Sequence, residues 1–159
     1  MAQVIPEAEY IRKEIILRQL DLPQSVTLTK KSLLRWCALS LGLISPKESR
    51  DKSIIIFDAL FSLLFKKKEK PTTLDVQAAI KKKYSFIVSE KLIRYHLNRL
   101  VDLGIIQRKK NQYSINPNPY SEKRGSLAAS FDAWVKAPFN EEMEKISNSL
   151  EKLQQLYGK

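Results

Sequence analysis

The chain has 159 residues, 43% of them hydrophobic, and a formal net charge of +11 at pH 7. This length and composition predict one folded domain with extensions, and no apolar run reaches the roughly 18 residues needed to span a bilayer. Cys37 and His96 are each the only residue of their type, which excludes an intramolecular disulfide and predicts that the chain binds no metal and no cofactor.

Residues 1–49 are predicted to form an N-terminal helical extension. The first ten residues lack the basic start and apolar middle of a secretion signal, so we expect a cytoplasmic protein that does not bind a membrane. Pro6 suits a first helical turn, and apolar residues recur at helical spacing up to Leu22, which predicts a first helix. Hydroxyl groups near Thr27 predict the start of a second helix over 32–41, which is apolar on most sides and therefore expected to be buried.

The basic charge is concentrated in residues 50–116. This segment holds 15 Lys and Arg against 6 Asp and Glu, whereas residues 1–49 hold 7 against 5 and residues 117–159 hold 6 against 6. Such a concentration is typical of a nucleic-acid-binding module. A merely solvated lysine surface is the alternative, but it does not account for the nearly neutral flanks.

Residues 50–116 predict three helices followed by a hairpin. The first helix starts at Asp51 or Ser53 and ends in a run of lysines, which suits the negative end of the helix dipole. The second starts at a capping box of Thr72 and Asp75 and ends in the lysines 81–83. The residues that follow form a connector to the third helix.

The third helix begins after Ser89, whose hydroxyl can accept from the free amides of the first turn. It ends at Gly104, which can adopt positive φ, and the chain then turns through residues 107–112 into a second strand. The helix has one apolar stripe at helical spacing: Ile93, Leu97, Leu100 and Val101. The opposite stripe carries long donors and one aromatic ring: Lys91, Arg94, Tyr95 and Asn98.

This order of elements resembles the winged helix-turn-helix of prokaryotic transcription regulators of the ArsR and MarR type. The residues that carry the resemblance are Ser89, Ile93, Arg94, Tyr95, His96, Leu97, Leu100, Leu103 and Gly104. The resemblance covers residues 50–116. It implies a winged helix-turn-helix with a small β-hairpin wing over these residues. Together with the N-terminal helices and the C-terminal helical tail that the spacing of apolar residues predicts on either side, the expected fold class is mainly α. Metal sensing is not implied, because the chain has no cluster of cysteine and histidine.

The DNA interpretation assigns roles to individual side chains. Arg and Lys can donate to guanine in the major groove, and Asn can bond adenine bidentately. The candidates for reading bases are Lys91, Arg94, Tyr95 and Asn98. The candidates for phosphate contact, which fixes register without reading sequence, are Thr72, Thr73, Lys81, Lys82, Lys83, Arg108, Lys109 and Lys110. An ordinary solvated helix face is the alternative, and His96 is expected to be a packing residue.

Residues 117–159 predict a linker and C-terminal helices. Asn116 to Pro119 cannot continue a strand, and a short helix is predicted over 127–135. After Pro138, apolar residues follow in alternating steps of four and three, a heptad pattern typical of a two-helix interface between subunits. These candidates for dimerisation are Phe139, Met143, Ile146, Leu150, Leu153 and Tyr157. Packing of the same stripe on its own chain is the alternative.

The pattern as a whole predicts sequence-specific binding of double-stranded DNA by a homodimeric transcription regulator. A winged helix that binds a protein partner, as an adaptor or a subunit of a larger complex, is the alternative, because this fold serves both uses. An enzyme is not expected, since the sequence has no Gly-rich phosphate loop, nucleophile elbow or metal motif. Charge alone does not distinguish DNA from RNA as the partner.

Overall fold

The computed structural model describes residues 6–47 and 52–159, and within these ranges the chain is mainly helical with one two-stranded antiparallel sheet. The helices are α1 (Gln24–Thr27), α2 (Lys30–Ser40), α3 (Lys52–Phe61), α4 (Thr73–Tyr84), α5 (Glu90–Leu103), α6 (Leu127–Phe131) and α7 (Ala137–Tyr157). The strands are β1 (Ile106–Lys109) and β2 (Gln112–Ile115). The predicted mainly α class with a small hairpin is therefore confirmed. Residues 1–58 and 59–159 form two compact units.

Two predictions fall partly outside the described residues. These are Asp51, one of the two predicted starts of the first helix of residues 50–116, and the predicted domain boundary between residues 49 and 50. The other predicted start, Ser53, lies in the first turn of α3. This helix continues from Phe61 into a π-helical turn, Ser62–Lys66, in which the amide of Lys67 donates to the carbonyl of Ser62.

The predicted first helix up to Leu22 is wrong. Only Pro6–Tyr10 is helical, as a short 3-10 turn, and residues 11–23 have no regular structure. Arg18 shows the physical reason. Its amide donates to Ser40 O at 2.9 Å, and its guanidinium donates to Leu39 O at 2.7 Å and Ile44 O at 3.1 Å. Arg18 therefore bonds carbonyls in the last turn of α2 and in the loop just after it, and this segment does not continue as a helix.

Helix α2 lies close to its predicted position. Thr29 is its N-cap and accepts from the Ser32 amide at 3.2 Å, and Gly42 follows the helix at a φ of 69°. A Cβ atom at Gly42 would lie 2.6 Å from Cβ of Ile16, so the extended segment needs glycine there. The expected burial is wrong: only Ala38 of this helix is buried.

Helix α4 starts at the predicted capping box. The Thr72 hydroxyl accepts from the Asp75 amide at 3.2 Å, and Oδ2 of Asp75 accepts from the Thr72 amide at 2.9 Å. The helix ends at Ser85, which has a φ of 63°. The connector that follows is held by Gln77, whose Nε2 donates to Val88 O at 2.8 Å.

Helix α5 has both of its predicted ends. The Ser89 hydroxyl accepts from the Leu92 amide at 3.2 Å, and Gly104 ends the helix at a φ of 103°. The side chains that this helix buries share one face: Ile93, His96, Leu97, Leu100 and Leu103. They form the centre of the core of the second compact unit, and the burial of His96 agrees with its expected packing role.

The hairpin is tighter than predicted. Ile106 pairs with Ile115 and Lys109 with Gln112, which leaves only Lys110 and Asn111 in the turn. Both have positive φ, 51° and 65°, as a type I′ turn requires. The amide of Tyr113 donates to Pro71 O at 2.8 Å, so the hairpin is bonded to the chain just before α4.

The region after the hairpin packs against it. Asn118 Nδ2 donates to Ala129 O at 2.9 Å, and Trp134 Nε1 donates to Pro117 O at 3.0 Å, so the predicted linker is hydrogen-bonded to the helix that follows it. The Ser130 hydroxyl is fully buried and donates to Ile105 O at 3.0 Å. Residues 117–136 therefore belong to the same compact unit as the hairpin.

Helices α6 and α7 form one helical run through Pro138. They are joined by a π-helical turn, Asp132–Lys136, in which the Ala137 amide bonds Asp132 O. Proline removes one helical hydrogen bond and its ring crowds the preceding turn, so a wider turn just before Pro138 accommodates it. Val135 in this turn is fully buried, whereas every residue from Asn140 onward is exposed.

Replacing Ser130 by alanine tests how the helical run is attached to the hairpin. We expect Ser130→Ala to lower the free energy of unfolding by about 0.5–1.5 kcal/mol, because one buried hydrogen bond is lost while Ile105 O still accepts from the Asn116 amide. Urea denaturation followed by circular dichroism measures the change. Ser147→Ala on exposed α7 is the matched control and is expected to cause no loss. Equal effects of the two substitutions would contradict this attachment.

Candidate nucleic-acid interface

Four residues of α5 form an outer face, which we call the reading face: Lys91, Arg94, Tyr95 and Asn98. They follow the spacing of neighbours on one side of a helix, and the opposite side is the buried one. Lys91, Tyr95 and Asn98 are exposed, with Tyr95 at 60%, and Arg94 is partly exposed. The structure therefore brings together all four residues that the sequence predicted for reading bases.

The Arg94 guanidinium is held only weakly. It lies 3.9 Å from Oε1 of Glu90, one turn earlier, and both side chains are more than two-fifths exposed. Exposed ion pairs of this kind contribute about 0–1 kcal/mol. The guanidinium can therefore exchange Glu90 for another acceptor at little cost.

Tyr95 has a more defined position. Its ring meets the ring of His96 edge-on, with 5.1 Å between the ring centres. Because His96 is buried in the core, this contact positions the Tyr95 ring over the surface of the unit. A phenol ring there can contact a sugar, a phosphate or the methyl group of a thymine.

The hairpin presents three consecutive cations. Arg108, Lys109 and Lys110 are all exposed. The Arg108 guanidinium lies 5.4 Å from the centre of the Tyr113 ring and donates to Asn111 Oδ1 at 3.5 Å. Because the Tyr113 ring is fully buried, the cation–π contact places the Arg108 guanidinium against a ring of the core.

The predicted phosphate contacts of Thr72 and Thr73 need correction. The Thr73 side chain is only 4% exposed, and its hydroxyl lies 3.3 Å from the Tyr113 hydroxyl in the core, so it is not available at the surface. The Thr72 hydroxyl is already bonded to the Asp75 amide in the capping box, and the Asp75 carboxylate accepts from the Thr72 amide. A phosphate here would meet that negative charge.

The three lysines at the end of α4 remain at the surface. Lys81, Lys82 and Lys83 are exposed, and Lys83 Nζ lies 5.4 Å from the centre of the Tyr84 ring. Cations also stabilise a helix C-terminus through its dipole, so their position alone does not require a ligand.

Three exposed apolar side chains of the same compact unit were not predicted. Leu74 on α4 is 59% exposed, and Ile87 in the connector is 67% exposed, with Phe86 beside it. Leu74 is one of the apolar residues that, with Val76, Ala79 and Ile80, predict the helix after Thr72. The spacing of Thr73, Val76 and Ile80, all buried, fits one helix face and leaves Leu74 outside it. That spacing was the available signal.

Within residues 6–47 and 52–159 no helix has the length and apolar character needed to cross a membrane, and no group of three or more His, Cys, Asp or Glu residues could hold a metal ion. Cys37 on α2 is half-buried, and desolvation by this burial raises the pKa of its thiol.

Comparison of the chain with protein families, with curated proteins and with solved structures finds no match. The functional assignment therefore depends on the geometry and charge of the chain's own residues.

The left-handed φ of Lys110 leads to a stability prediction. A non-glycine residue in this conformation is strained by roughly 1–2 kcal/mol, and asparagine tolerates it better than lysine does. We expect Lys110→Asn to raise the free energy of unfolding by about 0.5–1 kcal/mol, measured by urea denaturation. Lys109→Asn is the control, because it makes the same chemical change in β1, where asparagine is unfavourable. A loss of stability in both variants would contradict the assigned turn.

Proposed function

We propose that residues 50–116 form a winged helix-turn-helix that binds double-stranded DNA, as part of a transcription regulator in the cytoplasm. The supporting observation is the exposed reading face on α5, in a segment that also carries most of the basic charge and a cationic hairpin. The proposed role is binding and not catalysis.

In this proposal α5 enters the major groove, which is about 12 Å wide and accepts one helix. Arg94 and Asn98 lie one turn apart and have the donors and acceptors that read guanine and adenine. Lys91 lies one turn before Arg94 and extends the same row. Because the opposite side of α5 is packed in the core, the helix keeps a fixed orientation while its outer face meets the bases.

The hairpin serves as the wing on the phosphate backbone. Its type I′ turn places Lys110 at the tip, and the contact with Tyr113 fixes Arg108 nearby. Lys81, Lys82 and Lys83 supply further phosphate contacts from the end of α4. These cations fix the register of α5 and add affinity that does not depend on base sequence.

A second candidate function is a winged helix that binds a protein. The exposed apolar side chains Leu74, Phe86 and Ile87 favour it, because apolar residues are common in protein interfaces. DNA binding would use the reading face and the cations, whereas protein binding would use these apolar side chains. Loss of partner binding on Ile87→Ser with unchanged affinity for DNA would support a protein-binding surface beside the DNA-binding one.

The salt dependence of DNA affinity tests the proposed function. Each phosphate neutralised releases a counterion and contributes about −0.9 to the slope of log affinity against log salt concentration. With six exposed cations at the hairpin and at α4, we expect roughly a thousandfold loss between 50 and 200 mM salt. Fluorescence anisotropy on duplex DNA measures it, with duplex RNA of the same sequence as the comparison. Undetectable binding to DNA at low salt, or tighter binding to RNA, would overturn the proposal.

Base reading and phosphate contact are expected to respond differently to substitution. Arg94→Ala or Asn98→Ala should relax the preference at one base pair and cost on the order of 1–3 kcal/mol for the preferred sequence. Lys110→Ala should weaken all sequences alike and reduce the salt slope by about 1. Selection from random duplex DNA, followed by affinity measurements, separates the two effects. The reading face is wrongly assigned if all three variants lose affinity equally for every sequence.

A further inference from the structure

The apolar stripe of α7 is uncovered. Its residues Met143, Ile146, Leu150, Leu153 and Tyr157 are between 49% and 85% exposed, and Phe139 at its start is partly buried. From Asn140 onward no residue of α7 is buried by the described part of the chain. The N-terminal end of α7, which we call its root, is attached to the rest of the unit. The turn that precedes it buries Val135, and Trp134 donates to Pro117 O. In the structure, therefore, the apolar stripe from Met143 onward does not pack on its own chain.

We propose that α7 pairs in antiparallel orientation with α7 of a second copy of this chain. The alternating steps of four and three give a period of 3.5, which lets a helix keep one stripe against a partner helix of the same period. The α7 of a second copy has the same sequence and therefore the same period of apolar residues. The helix has 21 residues and thus three heptads to pair.

The positions beside the stripe suit an identical partner. They are Asn140, Glu142, Ser147, Ser149, Gln154 and Leu156. Salt bridges at such positions set the partner and the orientation, and a row of like charges there would repel an identical chain. Only Glu142 is charged here, so two copies meet without a row of like charges.

The distribution of charge along α7 favours the antiparallel orientation. Residues 139–148 carry three glutamates and one lysine, whereas residues 149–159 carry one glutamate and two lysines. Antiparallel pairing places the acidic half of one helix beside the slightly basic half of the other. Parallel pairing would place the two acidic halves together.

The same orientation pairs every apolar layer. Phe139 faces the partner's Tyr157, Met143 faces the partner's Leu153, and Ile146 faces the partner's Leu150. The symmetry axis passes beside Asn148, and neither end of the stripe remains uncovered. This is the self-complementary contact that a two-fold dimer requires.

If the proposed function holds, the distance between the two roots in the antiparallel pair can be compared with the spacing of half-sites on DNA. At a rise of about 1.5 Å per residue, the 18 steps from Phe139 to Tyr157 separate the two roots of α7 by roughly 27 Å. Half-sites on DNA repeat at roughly 34 Å, a distance of the same order. Parallel helices would hold the two roots only about 10 Å apart.

Sedimentation equilibrium without DNA tests the pairing itself. We expect the wild-type chain to be a dimer at micromolar concentration and Leu150→Lys to weaken it by more than about 100-fold, because the new charge is desolvated in the interface. The matched control is Asn148→Lys, which adds the same charge on the outer side of α7 and should leave the dimer intact. Because α7 is exposed in the single chain, neither variant should unfold the rest, as circular dichroism will report. A wild-type monomer would overturn the proposal.

Disulfide trapping determines the orientation. In a Cys37→Ala background, Met143→Cys protein is mixed with a size-tagged Leu153→Cys protein and oxidised. The antiparallel register predicts a mixed disulfide between the two proteins, and Asn148→Cys protein should give none. Disulfides within each species would instead show parallel pairing and overturn the proposed orientation. Both tests omit DNA, so a dimer that fails to bind DNA would refute the proposed function alone.

Discussion

Tyr113 connects the hairpin with the start of α4, and the position of the hairpin depends on this residue. The backbone amide of Tyr113 donates to Pro71 O, its hydroxyl lies 3.3 Å from the Thr73 hydroxyl, and its ring lies beneath the Arg108 guanidinium. One residue thus joins two elements that are 40 residues apart in sequence. The same contacts explain why Thr73 faces inward and why Arg108 has a fixed position on the hairpin.

Local signals predicted the second compact unit well. The capping box at Thr72, the cap at Ser89 and the positive φ of Gly104 each depend on residues within one helical turn. Such features form wherever the local residues allow, because their hydrogen bonds close over three or four residues. The reading face followed for the same reason, since one buried stripe on α5 determines which residues lie opposite to it.

Predictions failed where a distant partner competed with the local pattern. Residues 11–22 have helical spacing of apolar residues, but Arg18 bonds carbonyls at the end of α2, more than 20 residues away. Thr73 was predicted at the surface because of its place at a helix start, although its fit to the stripe of Val76 and Ile80 indicated burial. For residues 11–22, nothing in the sequence indicated that Arg18 would bond these distant carbonyls. For Thr73, the spacing to Val76 and Ile80 did indicate burial, but the prediction followed the polar residue type instead.

The contrast between the two ends of the helical run from Leu127 to Tyr157 has a physical cause. At its start, the Ser130 hydroxyl and the Val135 side chain are buried, and the π-helical turn absorbs the strain that Pro138 would impose. From Asn140 onward no side chain of the helix is buried by its own chain, and an isolated helix of this length is only marginally stable in water. Its apolar stripe offers the missing stabilisation only when a second helix covers it. In the proposed dimer the order of α7 is coupled to association, and by mass action its stability rises with the concentration of the chain.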